Sequence, residues 1–479
     1  MYQKENGNSQ QGNAFCVNPG LYIIPASGGK ALLVNKDGAE PYFSKDGKRL
    51  FYTDGEGEGY ALKSCDLNGH EIRIHFTSKY TNVFTPSPDN NWVAYRELYK
   101  VYVAAFPETG KKADLSAKMG SVPVAQLAKD AGYNIHWSAD GKKVNWTLGD
   151  EYFSTEIKNR FTFMEGSKDT VPPMDTVGIK INLILASDKP KGILAFKGAR
   201  IITMNAGNEV IENGTIVVTD NKITDIGSAD KIQIPAGAKV MDVTGKTIMP
   251  GIVDVHAHVG HFRDGLTMQK HWPYYANLAY GVTTTHDPSA NTEFVFSLSE
   301  LVKSGTIVGP RVYSTGTILY GADGDFKAVI NSLDDARSAI SRTKAFGAFS
   351  VKSYNQPRRE QRQQVITASR ELKIMVVPEG GSTTFYNLTH ILDGHTGVEH
   401  NLPVVPLYDD VIKLWSNSKT QYTPTLIVNY ASMRGEYYWY QKTNVWEKER
   451  LLKFTPRFII DSRSRHRTMI PDEEYANGY

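Results

Sequence analysis

From Pro250 onward, short apolar runs alternate with segments of helical character, and no other feature narrows the fold as much. Strands are expected near 252–258, 282–287, 311–316, 348–353, 374–379, 397–400 and 422–428. Between them, "LDDARSAISRTKAFG" opens on a capping-type pair of aspartates and closes at Gly347. "PRREQRQQVITASRELK" is charged on one face, with Val365, Ile366 and Leu372 for the other. Parallel strands need a crossover, usually a helix, so repeated strand–helix units imply a parallel sheet. Seven units without an evident reversal of order favour a (β/α)8 barrel lacking its last unit. A doubly wound sheet is the runner-up, and nothing like GxGxxG supports it.

The first third is built differently. "PYFSKDGKRLFY" (41–52), "FTPSPDNNWVAY" (84–95) and "NIHWSADGKKVNW" (134–146) share an apolar approach, a Ser, an Asp with Gly or Asn, then an alternating strand. Ser44, Ser87 and Ser138 mark spacings of 43 and 51 residues. Each repeat reads as a tight turn in which the Asp-Gly or Asp-Asn step supplies a positive φ. Several short strands per unit at such a period signal propeller blades.

Bulk composition excludes more than it selects. With 479 residues, two or three domains are expected. A 41% hydrophobic and 22% charged content gives ample core. The formal charge of +3, with no long basic run, leaves no nucleic-acid footprint. No apolar run approaches the ~18 residues that span a bilayer, and the polar start "MYQKENGNSQQGN" carries no signal-peptide pattern. Cys16 and Cys65 could pair, but offer no CxxC chemistry.

The chemistry gathers at expected strand ends, where barrels carry catalytic groups. "PGIVDVHAHVGHF" (250–262) aims Asp254, His256 and His258 to one side if the strand alternates throughout. Lys352 lies near the end of the fourth strand and His400 at the end of the sixth. Eight of the twelve histidines fall between 256 and 400. Imidazoles in an HxH pair suit Zn²⁺ and similar ions. His261, His271, His286 and His395 are read as loop or supporting residues.

Two resemblances organise these pieces. The repeats over roughly 15–185 resemble the PD40 repeats of TolB-type β-propellers. "DVTGKTIMPGIVDVHAH" resembles the signature leading the amidohydrolase superfamily from a small β-sandwich into its first barrel strand, through Asp242, Gly245, Pro250, Gly251, Asp254, His256 and His258. The likeness continues through "GVTTTHDPS", "GPRVYSTG", "SVKSYN", "GVEHN" and "TPTLIVNY", over about 195–430. It implies a multidomain chain: a partial all-β propeller of about three blades over 1–186, a small β-sandwich segment over 187–249, and an incomplete (β/α)8 TIM barrel over 250–479. It implies one or two divalent ions, zinc first, on His256, His258, Lys352 and His400, with Lys352 carboxylated and bridging.

Two departures qualify the likeness. Where the fifth strand normally ends in a histidine ligand, this chain reads "IMVVPEGG", with Pro378 in that place and Glu379 as the carboxylate able to substitute. The acidic residue of an eighth strand, the family's general base, has no match. Asp461 is read as a surface acid, and the base is expected beyond Tyr479. Propellers usually close with ~4–8 blades, so the chain reads as a fragment truncated at both ends.

The leading expectation is a hydrolase acting on a carbon–nitrogen bond of an amide, cyclic amide or short peptide through metal-activated water. The propeller offers a surface for a protein partner. Relatives of this architecture look exported. The rival is a non-catalytic propeller–barrel binding protein with a degenerate metal site. A carbohydrate-active or nucleotide-dependent barrel has neither paired carboxylates nor a phosphate loop behind it.

Overall fold

A computed structural model describes residues 1–4, 18–107, 109–260, 270–322, 327–404, 406–426, 435–465 and 468–473. The N-terminal part forms four successive sheets, built on antiparallel ladders. The first is Tyr2–Lys4, Gly20–Ile23 and Leu32–Asn35. The second holds Ala39–Phe43, Arg49–Glu56, Gly59–Asp66 and Arg73–Ser78, with Ala113–Asp114 on its edge. The third holds Thr81–Pro86, Trp92–Glu97, Lys100–Ala105 and Val124–Gln126. The fourth holds Tyr133–Trp137, Lys143–Leu148, Glu151–Glu156 and Ile179–Lys180.

The repeated Ser and Asp have one physical role in all three places. Ser44, Ser87 and Ser138 donate through Oγ to Asp46, Asp89 and Asp140 at 2.7, 2.5 and 2.6 Å. Each Oγ also accepts from the backbone N–H five residues on, in Arg49, Trp92 and Lys143. The residue that reverses the chain has φ of 69° at Gly47, 60° at Asn90 and 69° at Gly141, as the turn chemistry requires. Core packing then links consecutive sheets. Phe51, Leu62 and Phe76 of the second meet Phe84, Val93 and Tyr95 of the third. Val101 and Val103 of the third meet Val144, Trp146 and Phe153 of the fourth.

Between residues 187 and 249 lies one mixed sheet: Ile193–Ile202, Val210–Thr219, Lys222–Ser228, Lys239–Asp242 and Thr247–Ile248. The hairpin turns at Asp220–Asn221, with Asp220 at φ 57°. Among the described residues this stretch supplies a single layer, and Ile223, Val240 and Met241 on it are exposed. Between Val171 and Lys191 the described strand is the two-residue Ile179–Lys180, and Leu183, Ile184 and Leu185 stand in solvent.

The remainder alternates strand and helix as the pattern predicts. In order come β1 (Ile252–Asp254), α1 (Trp272–Ala279), β2 (Val282–Asp287), α2 (Thr292–Ser304), β3 (Arg311–Ser314) and α3 (Leu333–Ala345). Then come β4 (Ser350–Ser353), α4 (Arg359–Leu372), β5 (Met375–Pro378), α5 (Thr384–Asp393), β6 (Gly397–Glu399), α6 (Asp409–Ser418) and β7 (Gln421–Thr423). All the ladders here are parallel, in three short sheets: β1–β2–β3, β4–β5 and β6–β7. Leu319, in the loop after β3, bridges to Ser353 and joins the first sheet's trailing loop to the second.

Helix signals resolve in detail. Ser332, not the Asp pair, caps α3 by accepting from Asp335 N at 3.1 Å; Asp334 and Asp335 fill the first turn, where carboxylates suit the helix dipole. On α4, Val365 and Ile366 are buried against Leu319, Ile340 and Val376. The seventh strand was expected to reach 428, and residues 427–434 lie outside the described set. Beyond β7 the described residues include the helices Gly435–Lys442, Glu449–Phe454 and Arg457–Ser464. No described helix is long and apolar enough to cross a membrane.

Candidate functional site

The site residues expected from separate stretches meet at the C-terminal ends of β1, β4, β5 and β6. β1 itself stops at Asp254, so His256 and His258 sit just past it, after a bend at Val255 and His256, on chain that still runs beside β2, with Ala257 N donating to His286 O at 2.9 Å. This corrects the uniform-strand reading. Asp254 does not share the imidazoles' role; its Oδ1 accepts from His256 N at 3.1 Å and holds the backbone in place.

Both HxH rings are anchored the same way. His256 Nδ1 contacts Glu399 Oε2, with both side chains almost fully buried. His258 Nδ1 lies 3.2 Å from Asp287 Oδ1, and that carboxylate is buried while the imidazole is open to solvent. An imidazole that gives Nδ1–H to a carboxylate has its tautomer and orientation fixed and presents Nε2 outward. The His256 ring lies 5.1 Å from His258 and 4.9 Å from His400, centroid to centroid.

Lys352 is 1% exposed on a β4 strand buried at all four positions. Its Nζ lies 2.6 Å from Glu379 Oε2, while no aligned hydrogen-bond acceptor is found for it among the described residues. Glu379 Oε1 accepts from His400 Nε2 at 2.9 Å, so one carboxylate bridges β4 and β6. Burial alone would raise the Glu379 pKa, but the His400 bond and the Lys352 ammonium outweigh it and bring it down to about 2.

His400 has φ of 68°, left-handed for a residue with a side chain. Along a regular strand, Glu399 and His400 would face opposite ways. The left-handed residue breaks that alternation, and both converge on one place. An aromatic wall stands nearby: Tyr320 and Tyr354 pack edge to face at 5.2 Å, and Arg362 stacks over Tyr386. Burial first, then the negative charge of Glu379, raise the phenols of Tyr354 and Tyr386.

The other described histidines of the β/α region make structural contacts. His286 lies between the Val255 carbonyl and Ser350 Oγ at 3.1 and 2.8 Å. His271 precedes α1 with Nε2 on the Val259 carbonyl. His395 packs against His390 at 4.6 Å, and burial lowers their pKa values to about 4 and about 2. His261 and Cys16 lie outside the described residues, and Cys65 is a buried free thiol. Asp461 is partly exposed in a helix and pairs with the exposed Arg457 and Arg465.

In donor chemistry the residues suit a divalent ion: two imidazoles with Nε2 presented, a third at His400, a carboxylate, and a buried lysine nitrogen without an aligned partner. Among the described residues, no three His, Cys, Asp or Glu side chains stand as a ready-made metal cage. Glu379 is taken up by Lys352 and His400 instead. Glu399 and Asp287 were not foreseen, although each adjoins a histidine that was, in "GVEHN" and "TTTHDPS".

No protein-family model matches the chain. It is 33% identical over 158 residues to a 5-methylthioadenosine/S-adenosylhomocysteine deaminase of Bacillus cereus (strain 03BB102), covering 31% of this chain and 34% of that protein. The deaminase of the same name from Bacillus thuringiensis (strain Al Hakam) is 33% identical over 156 residues, with the same coverage. The chain thus spans about a third of the length of the curated relatives it matches. A solved Xaa-Pro dipeptidase with bound methionine aligns with a TM-score of 0.42 at 18% identity, over 57% of this chain and 73% of that one. The similarity to the deaminases supports the amidohydrolase superfamily.

Proposed function

We propose that this chain carries the active centre of a metal-dependent hydrolase that cleaves a carbon–nitrogen bond in an amide, cyclic amide or dipeptide-like substrate. One observation carries the reading: His258, His256, His400, Glu379 and Lys352, drawn from four strand ends, stand as successive neighbours, with both HxH rings held at Nδ1 by buried carboxylates. His256, His258, His400, Glu379 and Lys352 would hold one or two divalent ions, zinc first, with Lys352 as the candidate for carboxylation. Bound there, the ion supplies a water acidic enough to act as hydroxide near neutral pH and polarises the substrate carbonyl.

The chain's own groups then have defined tasks. Glu399 and Asp287 fix the ring orientations, Glu379 neutralises Lys352 as long as that amine is an uncarboxylated ammonium, and the tyrosine wall of Tyr320, Tyr354 and Tyr386 shapes the substrate side. The four N-terminal sheets are assigned to a TolB-type propeller, the 187–249 sheet to one layer of a sandwich, and the seven parallel strands to a (β/α)8 barrel.

Metal content of purified protein, measured by mass spectrometry, tests the centre. About one or two equivalents of divalent ion are expected, with most of it lost in His256→Ala. Turnover of N-acyl amino acid, lactam and dipeptide panels, suppressed by 1,10-phenanthroline, tests the reaction. A folded protein that takes up no divalent ion sinks the proposal. The second reading, a binding protein with a degenerate site, draws on the lack of a three-donor cage among the described residues. Ion uptake without turnover of any amide, by a protein that includes the expected eighth-strand acid, would favour it.

A further inference from the structure

Glu379 stands on a turn rather than on a strand. β5 ends at Pro378, and Glu379, Gly380 and Gly381 leave the sheet before α5 begins at Thr384. A carboxylate launched from such a turn meets Lys352 and His400 reproducibly only if the backbone beneath it is held. One side is held by β4, where Glu379 N donates to Ser353 O at 2.9 Å. The turn also lies hard against β6, since a Cβ on Gly380 would collide with the Glu399 carbonyl oxygen.

The other side is held by α5. Asn387 and His390, three residues apart and so on one face of that helix, are both buried. Asn387 accepts from Gly381 N at 2.7 Å and donates to Gly381 O at 2.9 Å. His390 Nε2 lies 3.2 Å from Glu379 O, and its Nδ1 lies 3.3 Å from Nη1 of Arg362 on α4. These partners leave the ring one tautomer. A carbonyl oxygen only accepts and a guanidinium only donates, so Nε2 carries the proton and Nδ1 is bare. Arg362 is fixed in turn: buried, it donates to Tyr386 O and Thr389 Oγ1 at 3.3 and 3.1 Å and stacks over the Tyr386 ring.

We propose that His390 and Asn387 are positioning residues for the Glu379 carboxylate, with Arg362 acting through His390. The inference rests on the metal-centre reading above and names what aims one of its donors. Packing alone would be met by apolar side chains, and burying polar ones costs desolvation unless their hydrogen bonds are made. Here those bonds go to both ends of the 379–381 turn, so they set its orientation as well as its distance from the helix.

His390→Leu removes both imidazole hydrogen bonds at similar volume. His390→Gln can keep them, with its amide N–H for Glu379 O and its amide oxygen for Arg362. Hydrogen exchange at the 379 and 381 amides of the whole chain should quicken about tenfold in His390→Leu, with β4 unchanged, and return toward the parent rate in His390→Gln. Zinc affinity, by competition with a metal indicator, should fall about tenfold in His390→Leu and recover in His390→Gln. Asn387→Leu should follow His390→Leu in both measurements. Unchanged zinc affinity in a folded His390→Leu protein, whatever its melting temperature, would overturn the inference, as would a His390→Gln protein impaired as far as His390→Leu. A parent protein that takes up no zinc defeats the metal reading instead, and the exchange comparison then judges the positioning alone. Should the leucine variants fail to fold, imidazole nitrogen NMR of the parent decides: a proton on His390 Nε2 with a slowly exchanging Gly381 amide upholds the positioning, and a proton on Nδ1 overturns it.

Discussion

Carboxylates do opposite kinds of work in the two halves of this chain. In the N-terminal sheets, Asp46, Asp89 and Asp140 bond only to neighbours a few residues away, at the surface of tight turns. In the β/α region, Glu379, Glu399 and Asp287 reach across the sequence to Lys352, His256 and His258, in the interior. A turn carboxylate has water as an alternative partner, so its loss is local. A buried carboxylate holds another charge in place, so its removal strands that charge.

The contrast is broken most severely at Glu379. Glu379→Ala leaves the Lys352 ammonium without its counter-ion and should destabilise the fold by about 3–5 kcal/mol in denaturant unfolding. Lys352→Met combined with Glu379→Gln should recover much of that loss. If Glu379→Ala melts like the parent protein, the buried pair is not the organising contact described here.

Acid should separate the halves next. His390 and His395 in the β/α region, and His75 in the second sheet, are all held neutral, chiefly by burial and then by nearby positive groups, at about 2, about 4 and about 4. Their folded values lie below the ordinary 6.5, so the unfolded chain takes the proton first. The stability is whole above about pH 6.5 and drains as pH falls from there toward the folded values, roughly 2 kcal/mol per histidine between pH 7 and pH 5. With His286 of β2 also lowered by burial, three such residues against one predict that hydrogen exchange at pH 5 opens the β/α region before the sheets. Glu379 works in a lower window, since its depressed pKa keeps its contribution until pH falls below about 4.5.

Smaller still is the effect of the ring anchors. Glu399→Gln should weaken divalent-ion affinity about 10–100-fold with the fold intact, read by competition with a metal indicator. The least effect belongs to the turns. Ser87→Ala removes a buried hydroxyl that serves Asp89 and Trp92 N, at a cost of about 1 kcal/mol, and metal uptake should not change. A Ser87→Ala protein that loses metal would erase the division drawn between the halves.

The same distinction explains what could be read in advance. Turn motifs are local, so "SKDGK" and "SADGK" announce their geometry, and the apolar strands announce the β/α order. His256, His258, Lys352, Glu379 and His400 were legible because each terminates an apolar run. Their partners were not. Glu399 stands next to His400, and alternation argues that neighbours face apart; only the backbone angle at His400 brings them together. Asp287 was hidden beside His286 in the same way.

The left-handed residue at 400 sets folding and function against each other at one position. Glycine there would relax the backbone, while deleting the imidazole that meets Glu379. His400→Gly is therefore a substitution that a screen for solubility would keep and a screen for metal uptake would discard.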